Sequence, residues 1–179
     1  MVAYADTGLL VSLYLEETTS KAADAALGAS RQPVPLTPLG RLEMRNAFNL
    51  AVKWGRITTA ERDALWQDVE ADIASGFLVP TTVAAADLHA KARELSDRYS
   101  PTVGTRSLDL LHVAAATLLK ADTFFSFDER QRQADHPHIM AEIFAAELGA
   151  DPKLLGQFVN FGFHFKVAEG VSGLRSFGG

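Results

Sequence analysis

The chain has 179 residues, 47% of them hydrophobic, enough to close the core of one domain with room for a tail, and its formal charge of −5 argues against a protein that coats nucleic acid through a basic surface. It contains no cysteine, which excludes disulfides, thiolate catalysis and cysteine-built zinc sites, so any metal must be held by oxygen or imidazole. No basic segment precedes the first apolar stretch, Asp6 interrupts that stretch, and no apolar run reaches the roughly 18 residues of a membrane helix, so a soluble, cytoplasmic protein with no membrane partner is expected.

The first apolar run, Val2 to Ala5, ends at Asp6 and is followed by Thr7-Gly8 and the apolar stretch Leu9 to Leu15, a strand, turn and helix. The segment Glu16 to Leu27 continues as helix and stops near Gly28. Val34 to Thr37, set among prolines, suits a short strand, and Leu39 to Trp54 has helical spacing closed by Gly55. Thr58 and Glu61 have the capping-box form, opening a helix that runs to about Ser75. Phe77 to Val79 is a strand and Val83 to Tyr99 a helix. Ser107 to Lys120, apolar on nearly every side, describes a buried helix, and the β-rich run Thr123 to Phe127 ends at Asp128. Alternating strands and helices imply a parallel sheet covered on both faces, with ligands gathering beyond the carboxyl ends of its strands. Residues 1–134 therefore form the main domain. Residues 135–179 are a C-terminal extension of different character: His136 to Leu148 can form an amphipathic helix, and Phe161, Phe163, Phe165 and Val167 alternate like a strand.

Four carboxylates fall at positions that suit a site. Asp6 and Asp128 each follow an apolar strand and point to the same rim. Glu43 lies on the helical stripe Leu39, Glu43, Ala47, Leu50 and Trp54, with Asn46 one turn further on. Asp109 is two residues into the buried helix behind a possible Ser107 cap, where the helix dipole favours negative charge. Each alone has a structural explanation as turn former, cap or salt-bridge partner. Four together in a partly desolvated pocket would repel one another unless a cation lies between them, and an all-oxygen site suits magnesium or manganese. Such a site polarises phosphate oxygens and activates water, the requirements of phosphodiester hydrolysis.

The stretches Tyr4-Ala5-Asp6-Thr7-Gly8-Leu9-Leu10-Val11, Arg41-Leu42-Glu43-Met44-Arg45-Asn46-Ala47, Ser107-Leu108-Asp109-Leu110-Leu111-His112-Val113-Ala114 and Phe125-Ser126-Phe127-Asp128-Glu129-Arg130 resemble, in order and spacing, the PIN-domain nucleases, and most of all the VapC-like toxins of bacterial toxin-antitoxin pairs. The resemblance covers about residues 1 to 133. It implies a three-layer α/β/α fold with a mostly parallel central sheet, cleavage of RNA with magnesium or manganese, inhibition by a cognate antitoxin protein, and a homodimer. Under it, Asp6, Glu43 and Asp109 match the metal-binding acids and Asp128 the more variable fourth. Thr7 and Ser126 match hydroxyls beside the pocket. The ending after residue 135 departs from the family pattern.

Arg41, Arg45, Arg106, Arg130 and Arg132 lie near the acidic motifs in sequence and are candidates for RNA phosphate contacts, with solvated or ion-paired roles as the alternative. His112, three residues after Asp109, is favoured as a hydrogen-bonded core residue over a metal ligand, and His136 and His138 flank Pro137 in a loop. Asp6-Thr7-Gly8 also spells the aspartic-protease signature, but it occurs once and leads into a helix. An aspartyl phosphatase would carry a second acid where Gly8 stands. The alternative from another class is a non-catalytic PIN-like binding or scaffold module, and a DNA phosphodiesterase is a third reading because a metal site reads phosphate rather than the 2′-hydroxyl.

Overall fold

The apolar runs that end in aspartate or proline fold as short strands, and the longer periodic stretches between them as helices. In a computed structural model of the chain, residues 2–16, 20–30, 32–126, 139–149 and 163–166 are described. In chain order the elements are β1 (Ala3–Ala5), α1 (Thr7–Tyr14), α2 (Ser20–Ser30), β2 (Val34–Leu36), α3 (Pro38–Lys53), α4 (Thr59–Ser75), β3 (Leu78–Pro80), α5 (Ala85–Val103), α6 (Ser107–Leu118), β4 (Thr123–Ser126), α7 (Ile139–Glu147) and β5 (Phe163–Lys166).

Strands β1 and β4 pair in parallel with Ala5 opposite Phe125, and β5 adds to the far edge of β4 antiparallel. Strands β2 and β3 form a second parallel pair, and β2 packs alongside β1. The alternation of side chains along β1 divides the interior in two. Ala3 and Ala5, with Phe125 of β4, face a core built with α1, α2, α3 and α4; Tyr4, with Phe124, faces a second core built with α5, α6 and α7. Helices thus cover both faces, giving the three α/β/α layers, with mostly parallel strands divided between a three-stranded sheet, β1-β4-β5, and the pair β2-β3 where one central sheet was expected. Among the described residues no helix is long and apolar enough to cross a membrane.

Several element ends differ from the sequence reading for identifiable reasons. The helix expected to run on from Leu9 past Glu16 breaks at Leu15, whose backbone is extended (φ −88°, ψ 126°) and whose side chain is buried, so that α1 and α2 are separate helices. A buried leucine looks the same in a helical pattern whether or not the helix continues through it. Strand β3 is shifted one residue, and α5 runs to Val103 through Pro101, which lies in the last turn before Gly104 caps the helix in the left-handed conformation. The expected capping box is present: the Thr58 hydroxyl accepts from the Glu61 amide while the Glu61 carboxylate accepts from the Thr58 amide.

The end of α6 sets up the last strand of the site. The Lys120 amide donates to Thr117 O and the Ala121 amide to Ala116 O, with Lys120 at φ 53°, a Schellman turn with lysine where glycine is usual. The chain then turns straight into β4.

Helix α7 belongs to the second core. Ile143, Phe144 and Ala145 are buried, and the Phe144 ring lies 5.2 Å from Phe124. At its end Glu147 accepts from Lys91, Arg98 and Tyr99 of α5. Burial alone would raise the Glu147 carboxyl, but the hydrogen bonds from Lys91 and Tyr99 and the charges of Lys91 and Arg98 outweigh it and hold the group below its ordinary value of 4.5. A carboxyl held down in the folded state contributes stability above that ordinary value and loses it as pH falls further, through the folded value. Glu147→Gln should therefore be less stable than the wild type at pH 7, with the gap in urea midpoint closing as pH falls below about 4.5. A gap that stays constant from pH 7 to 3.5 would remove the ionic tie between α5 and α7.

Candidate active site

Because β1 and β4 run parallel and in register, they end at one edge of the sheet. The Asp6 amide donates to Phe125 O at 3.0 Å, the last link of that ladder, and the next residues, Asp6 and Ser126, stand side by side. Asp6 is 4% exposed. Its Oδ1 accepts from the Leu9 amide at 2.8 Å, capping α1, and its Oδ2 accepts a short hydrogen bond from the Ser126 hydroxyl. The turn-former reading and the site reading of Asp6 therefore describe one arrangement: the cap orients the carboxylate at the rim.

Thr37, the residue after β2, caps α3 by accepting from the Gly40 amide at 3.1 Å. Gly40 is buried against Leu36, Thr37 and the Thr7 hydroxyl, so α3 crosses close to the start of α1. Glu43 follows one turn further along. The core face of α3 is Gly40, Met44, Phe48 and Ala51, not the stripe from Leu39 through Glu43 to Trp54; Trp54 is 64% exposed. Two apolar stripes overlap on this helix, and the one with the bulkier Met44 and Phe48 turns inward. Glu43 consequently lies at the border of the core, with 24% of its side chain exposed. Its Oε2 accepts from the Thr7 hydroxyl at 2.6 Å and meets His112 Nε2 at 2.7 Å.

His112 comes from the buried face of α6. Its other ring nitrogen, Nδ1, lies 2.8 Å from the Tyr4 hydroxyl. Burial raises the Tyr4 phenol, a hydrogen bond with the Thr37 side chain opposes it, and the charges of Asp6 and Glu43 add to the rise, so the group stays protonated. Sequence reasoning had His112 as a hydrogen-bonded core residue, which it is, but missed that its partner is Glu43 and missed Tyr4 altogether. The strand period carried the signal for Tyr4, which stands two residues before Asp6. Asp109 is half-buried and lies one turn before His112 on the same side of α6. The expected Ser107 cap is absent: Arg106 is the N-cap residue, without a side-chain cap, and Asp109 occupies the third position of the helix, where the exposed amides favour an anion.

The donors gathered here are hard oxygens with one imidazole, chemistry that suits magnesium or manganese. Among the described residues, however, no group of three or more His, Asp or Glu side chains is drawn together tightly enough to hold an ion. Asp128, the fourth acid, lies outside the described residues, as do Arg130, Arg132, His136 and His138.

Asn46 is exposed on α3, one turn beyond Glu43, and Arg106 is exposed at the start of α6. Arg41 and Arg45 lie on the outer stripe of α3, with Pro38 and Leu42. Together with Trp66 of α4 they line an open cleft of about 460 Å³. The Arg45 guanidinium lies 4.7 Å above the Trp66 ring and that of Arg41 5.5 Å, and Arg41 also pairs with Glu70. Among the described residues Arg45 has no carboxylate partner.

Asp6 and Glu43 both bear on Tyr4, and like charges at such a junction destabilise the folded chain when no cation lies between them. Asparagine keeps the shape of Asp6, its amide oxygen can still accept from Leu9, and the Ser126 hydroxyl can reverse its role. In chelator, Asp6→Asn should be as stable to urea as the wild type or more so. A loss of about 1 kcal/mol or more, the size of a lost cap, would instead mean that the charge itself is structural.

A family model described as PIN domain matches residues 3–137 of the chain. Among solved structures, the chain resembles the Sarcin-Ricin loop cleaving toxin VapC20 of Mycobacterium tuberculosis, with a TM-score of 0.53 and 20% sequence identity over 74% of this chain and 95% of that one. No curated protein matches.

Proposed function

Since the chain belongs to the PIN domain family, we propose that it is a metal-dependent endoribonuclease that hydrolyses RNA phosphodiester bonds, and that it is the VapC-like toxin of a toxin-antitoxin pair. The observation that carries this reading is that two carboxylates distant in sequence are both bound at the start of α1, beyond the carboxyl ends of parallel strands: Asp6 caps that helix and accepts from Ser126, and Glu43 accepts from Thr7. Parallel sheets collect ligands at that edge. The fold likeness to a toxin described as cleaving the sarcin-ricin loop supports RNA as the substrate class.

In this reading Asp6, Glu43, Asp109 and Asp128 hold Mg²⁺ or Mn²⁺. The cation, when bound, supplies charge to the scissile phosphate and lowers the pKa of an attacking water. Thr7 and Ser126 keep the carboxylates in place through their hydroxyl hydrogen bonds, and Asn46 borders the same rim. Arg45, whose guanidinium lies over the Trp66 ring, contacts a substrate phosphate, with Arg41, Arg106 and Arg130 as further contacts. A cognate antitoxin protein restrains the enzyme in the cytoplasm, and the active form is a homodimer. Residues 1–134 make up the nuclease domain, with 135–179 added to it.

Purified protein should cut a structured RNA, such as a sarcin-ricin loop oligonucleotide, with Mg²⁺ or Mn²⁺ and not with chelator, and Asp6→Asn and Asp109→Asn should abolish cutting while remaining folded. Wild type and variants that behave alike would move the non-catalytic binding-module reading ahead. Arg45→Ala should retain the cleavage site and weaken RNA binding evenly across sequences, with the slope of log affinity against log salt shallower by about one. An unchanged slope would remove Arg45 from the phosphate contacts.

A further inference from the structure

We infer that His112 is a positioning residue for Glu43: its Nε2–H, together with the Thr7 hydroxyl, fixes the Glu43 carboxylate, and the Tyr4 hydroxyl fixes the ring. The inference rests on the nuclease reading, and adds to it a residue outside the four acids.

The chain of contacts is short and buried. Tyr4 and His112 are 1% and 4% exposed. The Tyr4 oxygen lies 2.8 Å from Nδ1 and Glu43 Oε2 lies 2.7 Å from Nε2, with Thr7 Oγ1 at 3.3 Å from the same nitrogen. The hydrogen positions follow from what each group can do. An ionised carboxylate only accepts, so Nε2 must carry the hydrogen that reaches Glu43. In the neutral ring Nδ1 is then an acceptor, and the Tyr4 hydroxyl must donate to it. In that tautomer the polarity runs one way, from phenol to imidazole to carboxylate, with Thr7 as a second donor onto the same Oε2.

The placement has a mechanical consequence. Glu43 stands at the border of the core on a helix whose inward face is a residue further on, so packing alone does not hold its three side-chain torsions. Two donors on one oxygen do, and both come from elements that lead to the other acids: Thr7 adjoins Asp6, and His112 follows Asp109 by one turn. Hydrogen bonds of this kind to metal-binding groups change metal affinity or activity by about 10–100-fold when removed.

The test separates the two ring nitrogens. Glutamine places an amide near the Nε2 position and asparagine near Nδ1, so His112→Gln keeps a donor for Glu43 and His112→Asn keeps only the Tyr4 side. Mn²⁺ affinity of each protein alone, read by electron paramagnetic resonance, and kcat and KM on RNA are measured on variants whose circular dichroism matches the wild type. His112→Asn should bind Mn²⁺ about 10-fold more weakly or worse and lose kcat with KM held, while His112→Gln stays near wild type. Tyr4→Phe should shift both readouts the same way by less, and carries the comparison if His112→Asn does not fold. Long-range ¹⁵N spectra of the wild type should show the Nε2–H tautomer of His112. Wild-type Mn²⁺ affinity and kcat in folded His112→Asn, equal impairment in His112→Gln, or an Nδ1–H ring would overturn the inference. A wild type that neither binds Mn²⁺ nor cuts RNA would instead sink the nuclease reading beneath it.

Discussion

Everything at the site depends on where β1 stops. A three-residue strand, buried on both faces, ends its ladder with the Asp6 amide bonded to Phe125 O, and at that residue the chain must change from strand to helix. A helix start leaves amides without partners, and a carboxylate one residue before it is the group that satisfies one of them. The same carboxylate must then accept from Ser126, because β4 ends in register alongside. Asp6 is therefore fixed by the backbone geometry of three elements rather than by the packing of its own side chain.

Glu43 is held differently. No strand end or cap defines it; it reaches the rim because α3 crosses α1 closely at Gly40, and it stays there because Thr7 and His112 bind one of its oxygens. The contrast has an energetic side. A neutral hydrogen bond contributes about 1 kcal/mol net and one to a charged group about twice that. A buried polar group left without a partner costs as much or more. Tyr4 and His112 are buried in an otherwise apolar core of Leu110, Val113, Ala114 and Phe124, so each polar atom of the chain from Tyr4 to Glu43 depends on the next. Two of its members, Tyr4 and His112, stack edge to face at 5.9 Å and fill space as well as carry the hydrogen bonds.

The sequence made the strand-terminal features legible because their causes are local. Asp6 after an apolar run, the Thr58–Glu61 box and the apolar α6 each announce themselves within a few residues. Features decided by tertiary competition were less legible. On α3 two apolar stripes one residue apart could each have faced the core, and tertiary packing buried the one with Met44 and Phe48. At Leu15 a buried leucine could continue a helix or end it. Ser107 looked like a cap but sits one residue inside the helix, and Arg106 precedes it without capping. The bond from His112 to Glu43 spans 69 residues of sequence, and no local pattern specifies it. A histidine on an apolar helix says only that it needs a polar partner, not which one. Asp128, expected at the end of an apolar run by the same logic as Asp6, lies outside the described residues.

Sheet-edge carboxylates and a buried polar chain pull against folding, and the rest of the molecule answers with apolar mass on both sides. Strand β1 shows how the two demands coexist. Its odd positions, Ala3 and Ala5, are small and share the first core with Leu9, Leu10 and Phe48. Its even position, Tyr4, is large and carries its hydroxyl through the second core to the histidine. A phenylalanine at position 4 would serve the core as well by volume. What tyrosine adds is a single oxygen atom, 2.8 Å from a ring whose opposite nitrogen meets Glu43, and packing gives no reason for that atom to be there. That atom joins Tyr4 through His112 to a carboxylate two hydrogen bonds away, so one residue serves the core by its ring and reaches the sheet edge by its hydroxyl.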